Sequence, residues 1–114
     1  MIFAAMSEAA AVGELVLVPD GLCRWHLRRD GVVVIREILV LPFRRGTGVG
    51  RRMVSLVAAK NPGRTIRARC PAGYEANGFW RRLGFALVAE EKGVNVWEAR
   101  PGWSGAPTAT PGTA

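Results

Sequence analysis

Histidine, tyrosine and lysine are nearly missing from this chain: it has one His, one Tyr, and only Lys60 and Lys92 as lysines among 16 basic residues. With one histidine and two cysteines, Cys23 and Cys70, at no metal-like spacing, no ligand set for a metal ion can be drawn. Two cysteines are also too few for a disulfide framework, which makes a reducing compartment, the cytoplasm, the expectation. No apolar run reaches membrane-spanning length. Met1–Met6 is apolar, but it is short and lacks the basic start of a secretory signal. Acidic residues are scarce as well, nine against 16 basic ones, leaving a net charge of +7. That balance suits a polyanionic partner and equally a solvated surface. The arginine bias, with abundant Ala, Gly and Val, also fits a GC-rich coding sequence. The 114 residues make one domain with room for a real core.

What is present centres on one join. Val32 to Leu41 is apolar on both alternating parities and rich in β-branched residues, which predicts a buried strand. Pro42-Phe43-Arg44-Arg45-Gly46-Thr47-Gly48-Val49-Gly50-Arg51-Arg52 follows and predicts a glycine-rich turn opening a helix. In that helix Val49, Met53, Leu56 and Val57 share one face. A glycine in a helix costs ~1 kcal/mol relative to alanine, and a fold tolerates it when something must approach the backbone closely. Unpaired amides and the positive end of the helix dipole suit a phosphate or diphosphate there. The join reads as a holder for a phosphorylated cofactor. The alternative is an ordinary strand-to-helix turn with Thr47 as the helix cap.

Arg45-Gly46-Thr47-Gly48-Val49-Gly50 resembles the Arg/Gln-x-x-Gly-x-Gly/Ala motif of the GNAT acetyltransferase superfamily, with Val40-Leu41-Pro42 before it as in those enzymes. Asn77-Gly78-Phe79-Trp80-Arg81-Arg82-Leu83-Gly84-Phe85 resembles that superfamily's second signature, about thirty residues on. The resemblance covers roughly Glu14 to Glu98. It implies an α/β domain with a mixed sheet, helices packed on it, and two strands splayed so that the thioester arm of acetyl-CoA fills the gap. The cofactor would be held by amides from Arg45, Gly46, Thr47, Gly48, Val49 and Gly50. Arg51 would lie near the diphosphate, and main-chain groups of Leu39, Val40 and Leu41 along the pantetheine. The implied activity is transfer of an acetyl group from the thioester directly to a primary amine.

The element order expected is β-β-β-α-β-α-β-β, with strands Glu14–Val18, Leu22–Arg29, Val32–Leu41, Thr65–Cys70, Phe85–Glu90 and Val94–Ala99. Helices are expected over Thr47–Lys60 and Tyr74–Leu83, the second placing Ala76, Phe79, Trp80 and Leu83 on one face. Residues 1–13 form a short leading segment in which Ser7–Val12 could be helical. Residues 14–99 are expected to be the acyl-CoA-binding domain that the resemblance implies, and 100–114 a disordered tail of Gly, Pro, Thr, Ala and Ser with one Trp. Little precedes Glu14, where the superfamily has a strand and two helices walling the acceptor pocket. The acceptor side is expected to be truncated.

Direct acyl transfer needs a neutral amine and a proton for the departing thiolate. Glu37, an acid in an apolar strand, is the candidate base; the alternative is a pairing with Arg36 or another arginine. Where the superfamily usually carries a tyrosine as acid, this chain has Trp80. Its indole donates a hydrogen bond but releases no proton; it packs over the pantetheine or belongs to the core. Tyr74 is the candidate substitute acid. Asn77 bonds the pantetheine or caps the turn. Cys70 is an acyl acceptor or an inert buried thiol, and His26 a surface residue. Two other functions stay open: a GNAT-like module that binds coenzyme A or a partner without turnover, and a basic nucleic-acid binder using Arg64, Arg67 and Arg69, for which interleaved aromatics are missing. The partners expected are acetyl-CoA and an unidentified amine, with no membrane and a possible second copy of the chain completing the acceptor wall.

Overall fold

Alternation is the simplest rule this chain obeys, and it builds the left half of a six-stranded sheet. In β2 (Gly21–Leu27) Cys23 and Trp25 point to one face and are buried, while Arg24 and His26 point to the other. β2 pairs antiparallel with β1 (Leu15–Val18) and β3 (Val33–Val40). A short 3₁₀ turn, Pro42–Arg44, leads to α1 (Val49–Lys60); then come β4 (Ile66–Pro71), α2 (Ala76–Arg82), β5 (Ala86–Glu91) and β6 (Val94–Ala99). Strand order is β1-β2-β3-β4-β6-β5, with β3 and β4 parallel and every other pair antiparallel. This is the mixed α/β sheet expected. The structure, a computed structural model, describes residues 14–105. The Ser7–Val12 helix and residues 106–114 of the expected tail lie outside the described residues.

β3 departs from the expectation of a strand buried on both faces. Arg24 pairs with Glu37 and Trp25 with Ile35, leaving Arg36 as the extra residue of a β-bulge. The bulge switches parity, so Val33 and Ile35 before it and Ile38 and Val40 after it all meet the core. Val34, Glu37 and Leu39 take the opposite face. An apolar run on both parities here records one bulge, not two covered faces.

Both helices pack against the face carrying Cys23, Ile35, Ala68 and Trp97. On α1 the buried set is Val49, Gly50, Met53, Val54 and Val57; Leu56, expected on that face, is exposed and Val54 takes its place. The helix begins at Val49 rather than Thr47, because Gly48 sits at φ 90° and breaks the helical path. It stops where Asn61 donates from its side chain to the Val57 carbonyl, with Pro62 next. α2 is shorter than expected: Tyr74 and Glu75 belong to the turn after β4. It ends as expected, with Gly84 donating to the Arg81 carbonyl and Phe85 to that of Trp80.

The far side of the chain corrects the reading of a disordered tail from residue 100, at least through Gly105. Trp103 stands edge-on against Phe85 at 5.3 Å and donates its indole N–H to the Leu83 carbonyl at 2.7 Å. Gly105 is buried beside Ser55. A segment poor in apolar residues is ordered by one tryptophan.

Candidate functional site at the split in the sheet

β3 and β4 pair only over Val33–Ile35 and Ile66–Ala68. Beyond Ile35, β3 keeps β2 as its neighbour, while β4 follows β6 along its whole length to Pro71. The sheet therefore splits between its two central strands, and the edge of β3 from Arg36 to Val40 loses its partner. A cleft of about 880 Å³ opens there, between the end of β3, the start of α1 and α2. Ile38, Leu39 and Val40 line one wall; Tyr74, Glu75, Phe79 and Arg82 line the other.

The floor is the glycine-rich loop. Gly48 caps α1 without any side-chain hydrogen bond, and the first α-helical bond runs from the Arg52 amide to the Gly48 carbonyl. The amides of Val49, Gly50 and Arg51 thus have no intrahelical acceptor. Arg45, Gly46, Gly48, Val49, Gly50 and Arg51 all line the cleft, and Arg45 has no acidic partner among the described residues. The glycines serve different purposes. At Gly48 an added Cβ meets nothing, so its positive φ is the reason for glycine. At Gly50 a Cβ would lie 2.7 Å from the Phe79 ring. That glycine lets the two helices touch, the close approach to its backbone being made by a ring of the chain itself.

Neither a protein-family model nor a curated protein matches the chain at the level of sequence. Solved structures do match in shape. A Desulfovibrio desulfuricans protein assigned to the GNAT acetyltransferases superposes with TM-score 0.67 at 17% identity, covering 85% of this chain and 75% of its own. An acetyltransferase of the same family from Listeria monocytogenes gives 0.64 at 15%, covering 83% and 69%. An Arabidopsis thaliana protein, solved with a bisubstrate analogue containing coenzyme A, gives 0.61 at 21%, covering 82% and 78%. The chain has the GNAT fold.

Within the GNAT fold, the structure sorts the residues singled out in the sequence. Leu39, Val40, Arg45, Gly46, Gly48, Val49, Gly50, Arg51 and Tyr74 meet around one cleft. Leu41 and Thr47 do not line it. The Leu41 amide donates to the Asp20 carbonyl and its carbonyl accepts from the Arg44 amide, so its main chain is already used. The Thr47 hydroxyl donates to the Arg44 carbonyl and caps nothing. Trp80 is core: 4% exposed, it packs between Phe79 and Phe85.

Asn77, expected to bond the pantetheine or cap the turn, is a buried hub that does the second. Its amide N–H₂ donates to the carbonyls of Pro71, Ala72 and Tyr74, and its oxygen accepts from Asn95 and the Trp97 indole. The turn from Pro71 to Tyr74 is pinned by one side chain, and Tyr74, 64% exposed, is thereby presented at the cleft. Arg51 is likewise engaged: its guanidinium donates to the carbonyls of Gly105 and Arg82.

Glu37 does not line the cleft. It lies on the helix-free face, across from Arg24, whose Nε is 3.6 Å from its carboxylate. The arginine pairing is the alternative that the sequence left open. The three arginines that suggested a nucleic-acid partner are engaged as well, Arg67 with Glu98 and Arg69 with Glu91, and Arg64 with the Gly31 carbonyl. His26 is exposed beside Glu14. Both thiols are buried; burial pushes Cys23 up to about 12 and also raises Cys70. Neither is an available nucleophile.

Beyond Ala76, Phe79 and Leu83, which the sequence placed on one helix face without a site role, sequence reasoning missed four cleft residues: Ile38, Arg44, Glu75 and Arg82. Arg82 alone carried a signal, as a second basic residue in the last turn of a helix already assigned to the site. The other three needed the bulge, the 3₁₀ turn and the Asn77-pinned turn to be known first.

Proposed function

We propose that the chain is an acyltransferase that takes an acetyl group from acetyl-CoA and passes it to a primary amine. One observation carries the reading: the split between β3 and β4 opens directly onto the uncapped amides of α1, with Arg45 beside them. A strand edge without a partner suits a linear amide-bearing arm, and a bare helix start suits the diphosphate to which that arm is joined. The cleft is ample for a substrate of that kind. Acetyl-CoA supplies an activated acyl carbon, and the chain's residues supply position and proton traffic. As the C–N bond forms and the C–S bond breaks, the amine gives up a proton and the thiolate takes one. Tyr74 is the one hydroxyl of the set at the cleft and serves as the donor to sulfur. Glu37, beside the gap on the other face, receives the proton from the amine.

Acetyl-CoA at millimolar concentration is expected to raise the melting temperature, because a ligand that binds only the folded chain stabilises it. Arg45→Glu, an exposed change that leaves the fold alone, is expected to erase that rise. No rise with the unaltered chain would sink the reading. Tyr74→Phe should lower kcat by about tenfold or more and leave the thermal rise intact.

A second reading, binding without turnover, is favoured by the burial of Trp80 where the superfamily places its acid. Thiol release with any amine removes it.

A further inference from the structure

The stretch after β6 is poor in apolar residues, yet it is anchored at both ends, and each anchor lies on a helix that walls the cleft. Arg100 to Gly105 folds back as a strap, turned by the bond from the Trp103 amide to the Arg100 carbonyl. One end is fixed to the close of α2, through the Trp103 indole on the Leu83 carbonyl and its ring against Phe85. The other end is fixed to the start of α1, where the Gly105 carbonyl accepts from the Arg51 guanidinium at 3.0 Å. The strap does not seal against the rest of α1. A hollow of about 270 Å³ is lined both by Gly102 and Trp103 of the strap and by Ala58, Ala59 and Asn61 at the far end of that helix.

Gly105 is shaped for its contact. It is buried at φ 80°, and an added Cβ would run into the Ser55 hydroxyl. A residue with a side chain could not bring its carbonyl so close to α1. What the contact holds is a cation. Arg51 lies in the first turn of α1, lines the cleft, and has no acidic partner among the described residues. Its guanidinium donates instead to two neutral carbonyls, those of Gly105 and Arg82. Carbonyls orient a guanidinium without cancelling its charge, and its other N–H groups have no acceptor among the described residues. A fixed positive charge therefore stands beside the free amides that open α1. A long side chain ordered before the ligand arrives spares the cost of ordering it at binding.

Resting on the acyl-transfer reading, we propose that Gly105 and Trp103 are positioning residues for the cofactor: the strap holds Arg51 ready for the diphosphate, so that strap docking and coenzyme A binding favour each other. Neither residue lines the cleft; both act through Arg51. The linkage is reciprocal, and bound coenzyme A holds the strap down as much as the docked strap tightens coenzyme A.

The test compares coenzyme A, titrated by calorimetry, with pantetheine, which lacks the diphosphate, titrated by NMR. The proteins are the full chain, Gly105→Ala, Trp103→Phe, Arg51→Ala and the double variant Arg51→Ala with Gly105→Ala. Gly105→Ala is expected to weaken coenzyme A about three- to tenfold, the range set by ordering one long side chain, and to leave pantetheine unchanged. Trp103→Phe keeps a ring against Phe85 and loses only the indole bond, so it should weaken coenzyme A about twofold with the fold intact. In the Arg51→Ala background Gly105→Ala should add less than about twofold, because the residue through which it acts is gone. Coenzyme A binding that neither strap variant alters would overturn the proposal. So would equal weakening of pantetheine, the mark of a merely structural role, or a full Gly105→Ala effect that persists without Arg51. Failure of the unaltered chain to bind coenzyme A would remove the acyl-transfer reading and this proposal with it, whereas binding that ignores the strap removes this proposal alone.

Discussion

The two halves of β3 have much the same composition and opposite fates. Val33, Val34 and Ile35 are flanked by β2 and β4, and Val33 and Ile35 are buried. Ile38, Leu39 and Val40 are flanked by β2 alone, and Leu39 is half exposed. Hydrophobicity does not separate the halves; the missing neighbour does. A site arises here because β4 turns away to follow β6, leaving an apolar strand edge beside an uncapped helix.

The largest effect expected from that contrast is at Ile35. Ile35→Ala removes a side chain held on both sides and covered by the helical layer, and should cost about 2–5 kcal/mol. Urea denaturation measures it. A loss under about 1 kcal/mol would show that the inner half is no more core than the outer. Gly50→Ala comes next. Its Cβ would lie 2.7 Å from the Phe79 ring, and relieving the overlap should cost about 1–3 kcal/mol. If the variant instead keeps full stability and loses only acetyl-CoA binding, Gly50 serves the ligand and not the helix contact.

The element order, the turn chemistry and both motifs were legible in the sequence because each is local. Gly48 at the helix start and Gly84 at a helix end need a positive φ whatever surrounds them. What stayed hidden is what tertiary partners decide. The bulge at Arg36 converts an apolar run on both parities into one covered face, and nothing in the run marks it. For Asn77 the sequence left two readings open, a bond to the pantetheine or a cap on the turn; five internal hydrogen bonds, two of them from β6, make it the cap. Trp103 in a Gly- and Pro-rich stretch found its partner in Phe85, eighteen positions earlier.

Cys23 tests whether the outer half of β3 is sealed on its helix side. Its register partner is Ile38, in the site half, yet the thiol is fully buried and pushed up to about 12 from 9.0. The unfolded chain releases this proton near pH 9 while the folded chain keeps it, so unfolding is favoured as pH rises. The stability is fully present below pH 9 and falls as pH climbs from about 9 toward about 12. At pH 10 the loss should be about 1.4 kcal/mol relative to pH 8. Cys23→Ala should remove that increment from the urea-derived difference between the two pH values. An unchanged difference would mean that water reaches the core through the split.

Leu39→Ala is the smallest effect and the one that draws the contrast most sharply. Half of the side chain is already in solvent and no strand lies on its far side, so truncation should cost about 1 kcal/mol or less. Ile35, four positions earlier, is worth several times as much for a side chain of the same size. A stability loss at Leu39 comparable to that at Ile35 would mean that something covers the outer half of β3 in solution. The split in the sheet would then be closed on that face. Measured side by side in urea, the two substitutions decide whether this strand is core along its whole length or core that becomes a site partway.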